Sequence, residues 1–139
     1  MESIAVIFWS GTGNTATMAQ EVVAGTGGQA KLINVTDTNA DEAAAYDKLA
    51  LGCPSMGDEV LEEDEMEPFF TALEGKISGK KVVLFGSYDW GDGQWKRDWA
   101  ERTKKAGAIL AADPLIVNLS PDADGKAKCR ELGKALADA

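Results

Sequence analysis

The chain contains no histidine and only two cysteines, Cys53 and Cys129, which are far apart and form no CxxC pair. These absences remove a zinc site, a histidine base and any Ser–His or Cys–His nucleophile pair. Positive charge is scarce: 14 Lys and Arg stand against 23 Asp and Glu, for a net charge of −9. Such a surface disfavours nucleic acid and anionic membrane as partners and favours basic proteins, although the acid count alone serves solubility equally well. No apolar run approaches the ~20 residues of a membrane span. The N-terminus enters a strand pattern at once, without the basic segment of a secretory signal, so a cytoplasmic location is expected. Most telling, no Lys or Arg occurs between Met1 and Ala30.

What is present is one core's worth of alternating elements. A length of 139 residues with 45% hydrophobic content suits a single domain spanning 1–139. Strand patterns occur at Ser3–Trp9, Ala30–Val35, Lys48–Cys53, Lys81–Gly86 and Ala108–Val117. Helical patterns lie between and after them at Asn14–Ala24, Asp41–Ala45, Glu65–Leu73, Gln94–Ala106 and Asp124–Asp138. Most of the strands are short apolar runs, as expected where both faces are covered. Strict β–α alternation predicts an α/β domain: a doubly wound, five-stranded parallel sheet with helices on both faces. Ligands of such sheets lie beyond the carboxyl ends of the strands, where strand order reverses. The loops Ser10–Thr15, Pro54–Glu59 and Ser87–Gly93 should therefore carry the site.

The first loop, Trp-Ser-Gly-Thr-Gly-Asn-Thr at 9–15, joins an apolar strand to a helix N-terminus. Backbone N–H groups and the positive end of the helix dipole there favour an anion. A site that transfers phosphate usually brings a cation to the moving charge; this segment has none, so it is suited to holding a phosphate still. The run from Gly11 to Ala16 also fits a loose dinucleotide pattern, with Asp37 about 20 residues later. Three hydroxyls, from Ser10, Thr12 and Thr15, suit the three oxygens of a terminal phosphate better. The second loop places Met56 and Gly57 at 52–59, where Met56 is either core or a polarizable wall. The third sets Tyr88 and Trp90 among small and acidic residues, where an exposed aromatic suggests a flat ligand. A Met and a Trp flanking a ring above a phosphate cradle match the shape of flavin mononucleotide (FMN). Trp99, one turn beyond Trp95, reads as core.

WSGTGNT, LGCPSMGDE and FGSYDWGDG, in this order and spacing, resemble the three FMN loops of the flavodoxins, in the short-chain clostridial-type class. The likeness extends to EPFF at 67–70, SGKK at 78–81 and PLIV at 114–117. It implies the strand order 2-1-3-4-5 and FMN as cofactor. It also implies that Ser10, Gly11, Thr12, Gly13, Asn14 and Thr15 surround the phosphate, with the Ser55 and Ser87 hydroxyls nearby. Met56 and Trp90 would flank the ring, the Gly57–Asp58 peptide would face flavin N5 and Glu59 would meet N3, with Tyr88, Asp89 and Gly91 completing the third loop. Asp89 stands where the family usually has Gly. Val23–Gln29 is shorter than usual, so the first helix should end near Gly25. The loop Asn118–Ser120 is given no site residue.

The resemblance implies a non-enzymatic, low-potential one-electron carrier that shuttles FMN between semiquinone and hydroquinone and substitutes for ferredoxin-type carriers. Gly57 would offer its carbonyl to protonated N5, and Asp58, Glu59, Asp89 and Asp92 would disfavour an anionic hydroquinone, with no basic residue before Lys96 to offset them. Seven of the ten residues from Asp58 to Glu67 are acidic and none is basic. Asp58, Glu59, Glu62, Glu63, Asp64, Glu65 and Glu67 would form the docking surface for basic redox partners of a monomeric protein. The alternatives are an FMN-dependent quinone reductase of the same fold or a flavodoxin dedicated to one enzyme. A signalling receiver is disfavoured, because Ser10 and Pro54-Ser55 occupy the positions its acids would need.

Overall fold

Alternation along the strands separates two sets of side chains, and each set is covered by its own helices. The computed structural model describes residues 3–9, 13–54, 65–88, 94–118 and 121–139. β1 (Ile4–Phe8), β2 (Lys31–Asn34), β3 (Lys48–Gly52) and β4 (Lys81–Tyr88) pair in parallel in the order β2-β1-β3-β4. The far side of β4 is occupied by two short segments, β5 (Ile109–Leu110) and β6 (Leu115–Asn118). The expected order 2-1-3-4-5 is therefore present.

The fifth strand is not the continuous Ala108–Val117 run expected from the sequence. Between the pairs Val82–Leu110 and Phe85–Leu115 the edge advances five residues while β4 advances three. The ladder's last bond before the break is Ala111 N–H to Val82 O at 3.0 Å. Pro114 has no N–H to continue it, so the chain bulges at the sheet edge, where a bulge is tolerated.

Ala5 and Ile7 of β1, Leu49 and Leu51 of β3, and Val82 and Leu84 of β4 share one face. They pack on α2 (Ala40–Ala44), α3 (Met66–Leu73) and α4 (Gln94–Lys105), through Ala43, Phe70, Leu73 and Trp99 among others. Ile4, Val6, Ala50, Val83 and Phe85 point the other way, onto α1 (Asn14–Gly25) and α5 (Ala123–Asp138). Period-two side chains thus yield two cores. Trp99 is buried and meets Phe70 edge-on at 5.6 Å, the core role expected of it.

α1 buries Thr15, Met18, Ala19 and Val22, the i, i+3, i+4, i+7 stripe of an amphipathic helix. It ends at Gly25 as expected, where the Thr26 hydroxyl donates to Val23 O and Gly27 and Gly28 take left-handed φ values of 75° and 79°. α5 starts on Asp122, whose carboxylate accepts from Gly125 N–H at 2.8 Å. Its C-terminus is closed from the sheet: the buried Lys48 ammonium on β3 donates to Ala137 O and Ala139 O.

Candidate functional site

The carboxyl ends of β1, β3 and β4 are stitched together before their loops depart. Trp9 N–H donates to Gly52 O at 3.0 Å, and Cys53 N–H donates to Phe85 O at 3.1 Å. Glycine is required at two of these positions. A Cβ on Gly52 would lie 2.2 Å from the Phe85 ring, and one on Gly86 would lie 2.0 Å from Cys53 O. The strand ends could not close up with any larger residue.

At the head of α1, Gly13 adopts φ +96°, and a Cβ built there meets nothing within 4 Å among the described residues. No acid occupies the first turn of α1, whereas α2, α3 and α5 each carry at least one there. The positive end of its dipole therefore meets no acid of its own first turn and suits an anion. Thr15, almost fully buried, faces Ser87 of β4 with their hydroxyl oxygens 3.2 Å apart, and Ser87 N–H points to Thr15 Oγ1 at 3.4 Å. A left-handed turn, a helix dipole and two converging hydroxyls fit a phosphate monoester, as in FMN.

A family model described as flavodoxin matches residues 6–133, most of the chain. The chain belongs to the flavodoxin family. It is similar to the flavodoxin of Clostridium beijerinckii, with 50% identity over 136 residues covering 96% of this chain and 98% of that one. Its identity to the flavodoxin of Megasphaera elsdenii is 46% over 139 residues, covering 98% and 99%. The solution structure of the two-electron-reduced Megasphaera protein superposes with a TM-score of 0.89 at 45% identity, covering 98% of this chain and 99% of that one. These relatives are short-chain, clostridial-type flavodoxins. Flavodoxins bind FMN and transfer electrons to redox partners; they are carriers rather than enzymes.

Of the flavodoxin site residues expected from the sequence, the structure brings Gly13, Asn14 and Thr15 to one end of α1 and sets Ser87 against Thr15. Tyr88 is half-buried at the end of β4 and packs on the core shared with α3 and α4. Ser10, Gly11, Thr12, Ser55, Met56, Gly57, Asp58, Glu59, Asp89, Trp90 and Gly91 lie outside the described residues, as do Glu62, Glu63 and Asp64. Among the described residues no cluster of His, Cys, Asp or Glu could hold a metal ion.

Two features of the site region were not legible in the motifs. Glu67, counted with the acidic run, is engaged by Arg102 of α4 at 2.7 and 3.0 Å, and the same guanidinium reaches Glu74 at 2.8 Å and lies 4.9 Å from the centre of the Phe70 ring. Its charge is therefore partly neutralised within the fold. The second is Lys96. Its side chain is buried, and Nζ donates to Phe85 O, within β4, at 2.5 Å and to Cys53 O, just past the end of β3, at 3.4 Å. A cation thus does sit at the base of the site. Its helical spacing to Trp99, Ala100 and Thr103, all buried, was the available signal: a lysine on the apolar stripe of α4.

Proposed function

We propose that this chain is one FMN-binding domain carrying single electrons at low potential in the cytoplasm, in the role of a ferredoxin-type carrier. The observation that supports the reading is the convergence of Gly13, Thr15 and Ser87 at the head of α1, a setting suited to a phosphate. FMN supplies the electron-accepting ring; the chain's own residues hold and tune it.

In this reading the N–H groups of residues 10–15 and the hydroxyls of Ser10, Thr12, Thr15, Ser55 and Ser87 anchor the phosphate. Met56 and Trp90 exclude water from the ring faces, with Tyr88, Asp89 and Gly91 shaping the outer loop. The Gly57–Asp58 peptide can rotate to present its carbonyl to a proton at N5, because Gly57 offers little steric resistance. Glu59 accepts from N3–H. The carboxylates of Asp58, Glu59, Asp89 and Asp92 oppose added negative charge and so lower the potential of the second electron.

Basic partners would dock on Asp58, Glu59, Glu62, Glu63, Asp64 and Glu65, with Glu67 contributing less because Arg102 engages it. Transfer rates to such a partner should fall steeply with salt. Reductive titration with dithionite, followed by absorbance, tests the central reading. Two resolved one-electron steps, the second well below the potential of free FMN, are expected. A single two-electron step, or a protein without flavin absorption, would sink it.

A further inference from the structure

Lys96 occupies the first turn of α4 with its ammonium against the carboxyl end of β3 and the carboxyl half of β4 at Phe85. Phe85 O accepts from both Lys96 Nζ and Cys53 N–H, so a single carbonyl joins β4, the end of β3 and α4. Nζ also lies 4.3 Å from the centre of the Trp99 ring, a cation–π contact inside the core. A Cβ on Gly86 would come within 2.9 Å of Nζ, so the ammonium is closely enclosed. Burying a cation is costly, and an apolar side chain of similar volume would pack this position more cheaply. The charge is nonetheless kept where the second loop departs after Cys53, and at Phe85, three residues before β4 ends at Tyr88.

We propose that Lys96 is a positioning residue for FMN: its protonated side chain ties the end of β3 to β4 at Phe85, fixes how the two ring-side loops depart from those strands, and favours the anionic cofactor. This rests on the reading above that those loops flank FMN. Every direct contact named here, two carbonyls and a ring face, stabilises the ammonium over the neutral amine. Burial acts the other way and pulls Lys96 down to about 7, with the Cys53 thiol weakly opposing. Among the described residues, the β3 side presents that thiol, β4 presents a main-chain carbonyl and Gly86, and on α4 the neighbouring Arg97 and Asp98 are exposed. Across neutral pH the tie therefore weakens as the ammonium is lost. By linkage, bound FMN must in turn hold that proton more tightly.

The test compares wild-type holoprotein with Lys96→Met, reading FMN released on dilution by its fluorescence at pH 6, 7, 8 and 9. The ratio of the two FMN dissociation constants should be about tenfold at pH 6, a usual coupling size, and close toward one at pH 9. The second ionisation of the phosphate, at about pH 6, acts on both proteins and cancels in the ratio. A ratio that does not change with pH, whatever its size, overturns the proposal and leaves Lys96 a packing residue. Should far-UV circular dichroism show the variant unfolded, the wild type decides: NMR titration of the Lys96 Cε signal should give a higher pKa with FMN than without. An equal or lower value overturns it. Wild type that binds no FMN would defeat the reading of the site itself, a result distinct from a flat ratio.

Discussion

Thr15 Oγ1 and Ser87 Oγ lie 3.2 Å apart across 72 positions of sequence, inside the protein where the head of α1 meets β4. Neither hydroxyl can find water easily, so each depends on the other and on whatever binds at the helix N-terminus. This pair joins the first loop to the third. In the proposed reading, the phosphate cradle is a product of α1 and β4 together rather than of one contiguous motif.

Removing either hydroxyl should therefore loosen the cofactor. Thr15→Val and Ser87→Ala are each expected to raise the FMN dissociation constant by about tenfold, the size of one net hydrogen bond to a charged acceptor. The double variant should lose less than the sum of the two, because the hydroxyls share a partner. Fluorescence titration with FMN measures all three. Full additivity would show that the hydroxyls act separately.

Gly133 on α5 packs directly against the backbone of α1. A Cβ there would lie 2.1 Å from Val22 O and 3.2 Å from Gly25 Cα, both backbone atoms that cannot swing aside. Gly133→Ala should destabilise the protein by about 2 kcal/mol, in the range of overpacked cores, despite the better helix propensity of Ala. Urea unfolding checks it, and a stabilised variant would contradict the close packing.

The stability of the flavin-free protein should depend on pH in a way set by two buried groups. Burial lowers Lys96 from 10.5 to about 7, so between those values the unfolded chain binds the extra proton and stability rises with pH. Burial, aided by Glu21, raises Cys129 from 9.0 to about 11, so above 9 the unfolded chain loses that proton first and the Cys129 contribution falls, cancelling the Lys96 gain. The urea midpoint should climb from pH 7, level off near pH 9 and decline only above about pH 10.5. Lys96→Met should flatten the climb alone. A wild-type midpoint that falls steadily from pH 7 to 9 would refute the assignment.

Cys53 and Cys129 are both buried and neither is in a disulfide. At pH 8 Cys129 should react with a disulfide reagent only as the fold opens, since the raised thiol supplies little thiolate. Two equivalents of thiol should appear on adding urea. A fast-reacting equivalent in the folded protein would show Cys53 or Cys129 to be accessible.

Much of the fold was legible because buried parallel strands and amphipathic helices leave strong periodic signals. Helix boundaries lay within a residue or two, and even the early end of α1 could be read from Gly25 and the glycines beyond. The split of the last strand was missed because Ala111–Pro114 is apolar enough to pass as strand. Only the register against β4 shows that two extra residues must bulge out. At the site, Gly13 and Thr15 were visible as local motif chemistry. The Thr15–Ser87 contact, the neutralisation of Glu67 by Arg102 and the burial of Lys96 were not, since each depends on a partner distant in sequence.

The sequence by itself determined the class of fold, the position of the ligand edge, the acidic character and the absence of basic residues in the first loop, because these follow from local periodicity and composition. Tertiary structure alone decided where charge sits at that edge. Chain crossings bring β3, β4 and α4 together there, and that convergence buries a lysine beside Cys53 and Phe85. A charge's influence depends on its surroundings and depth, and neither is written at any single position of the chain.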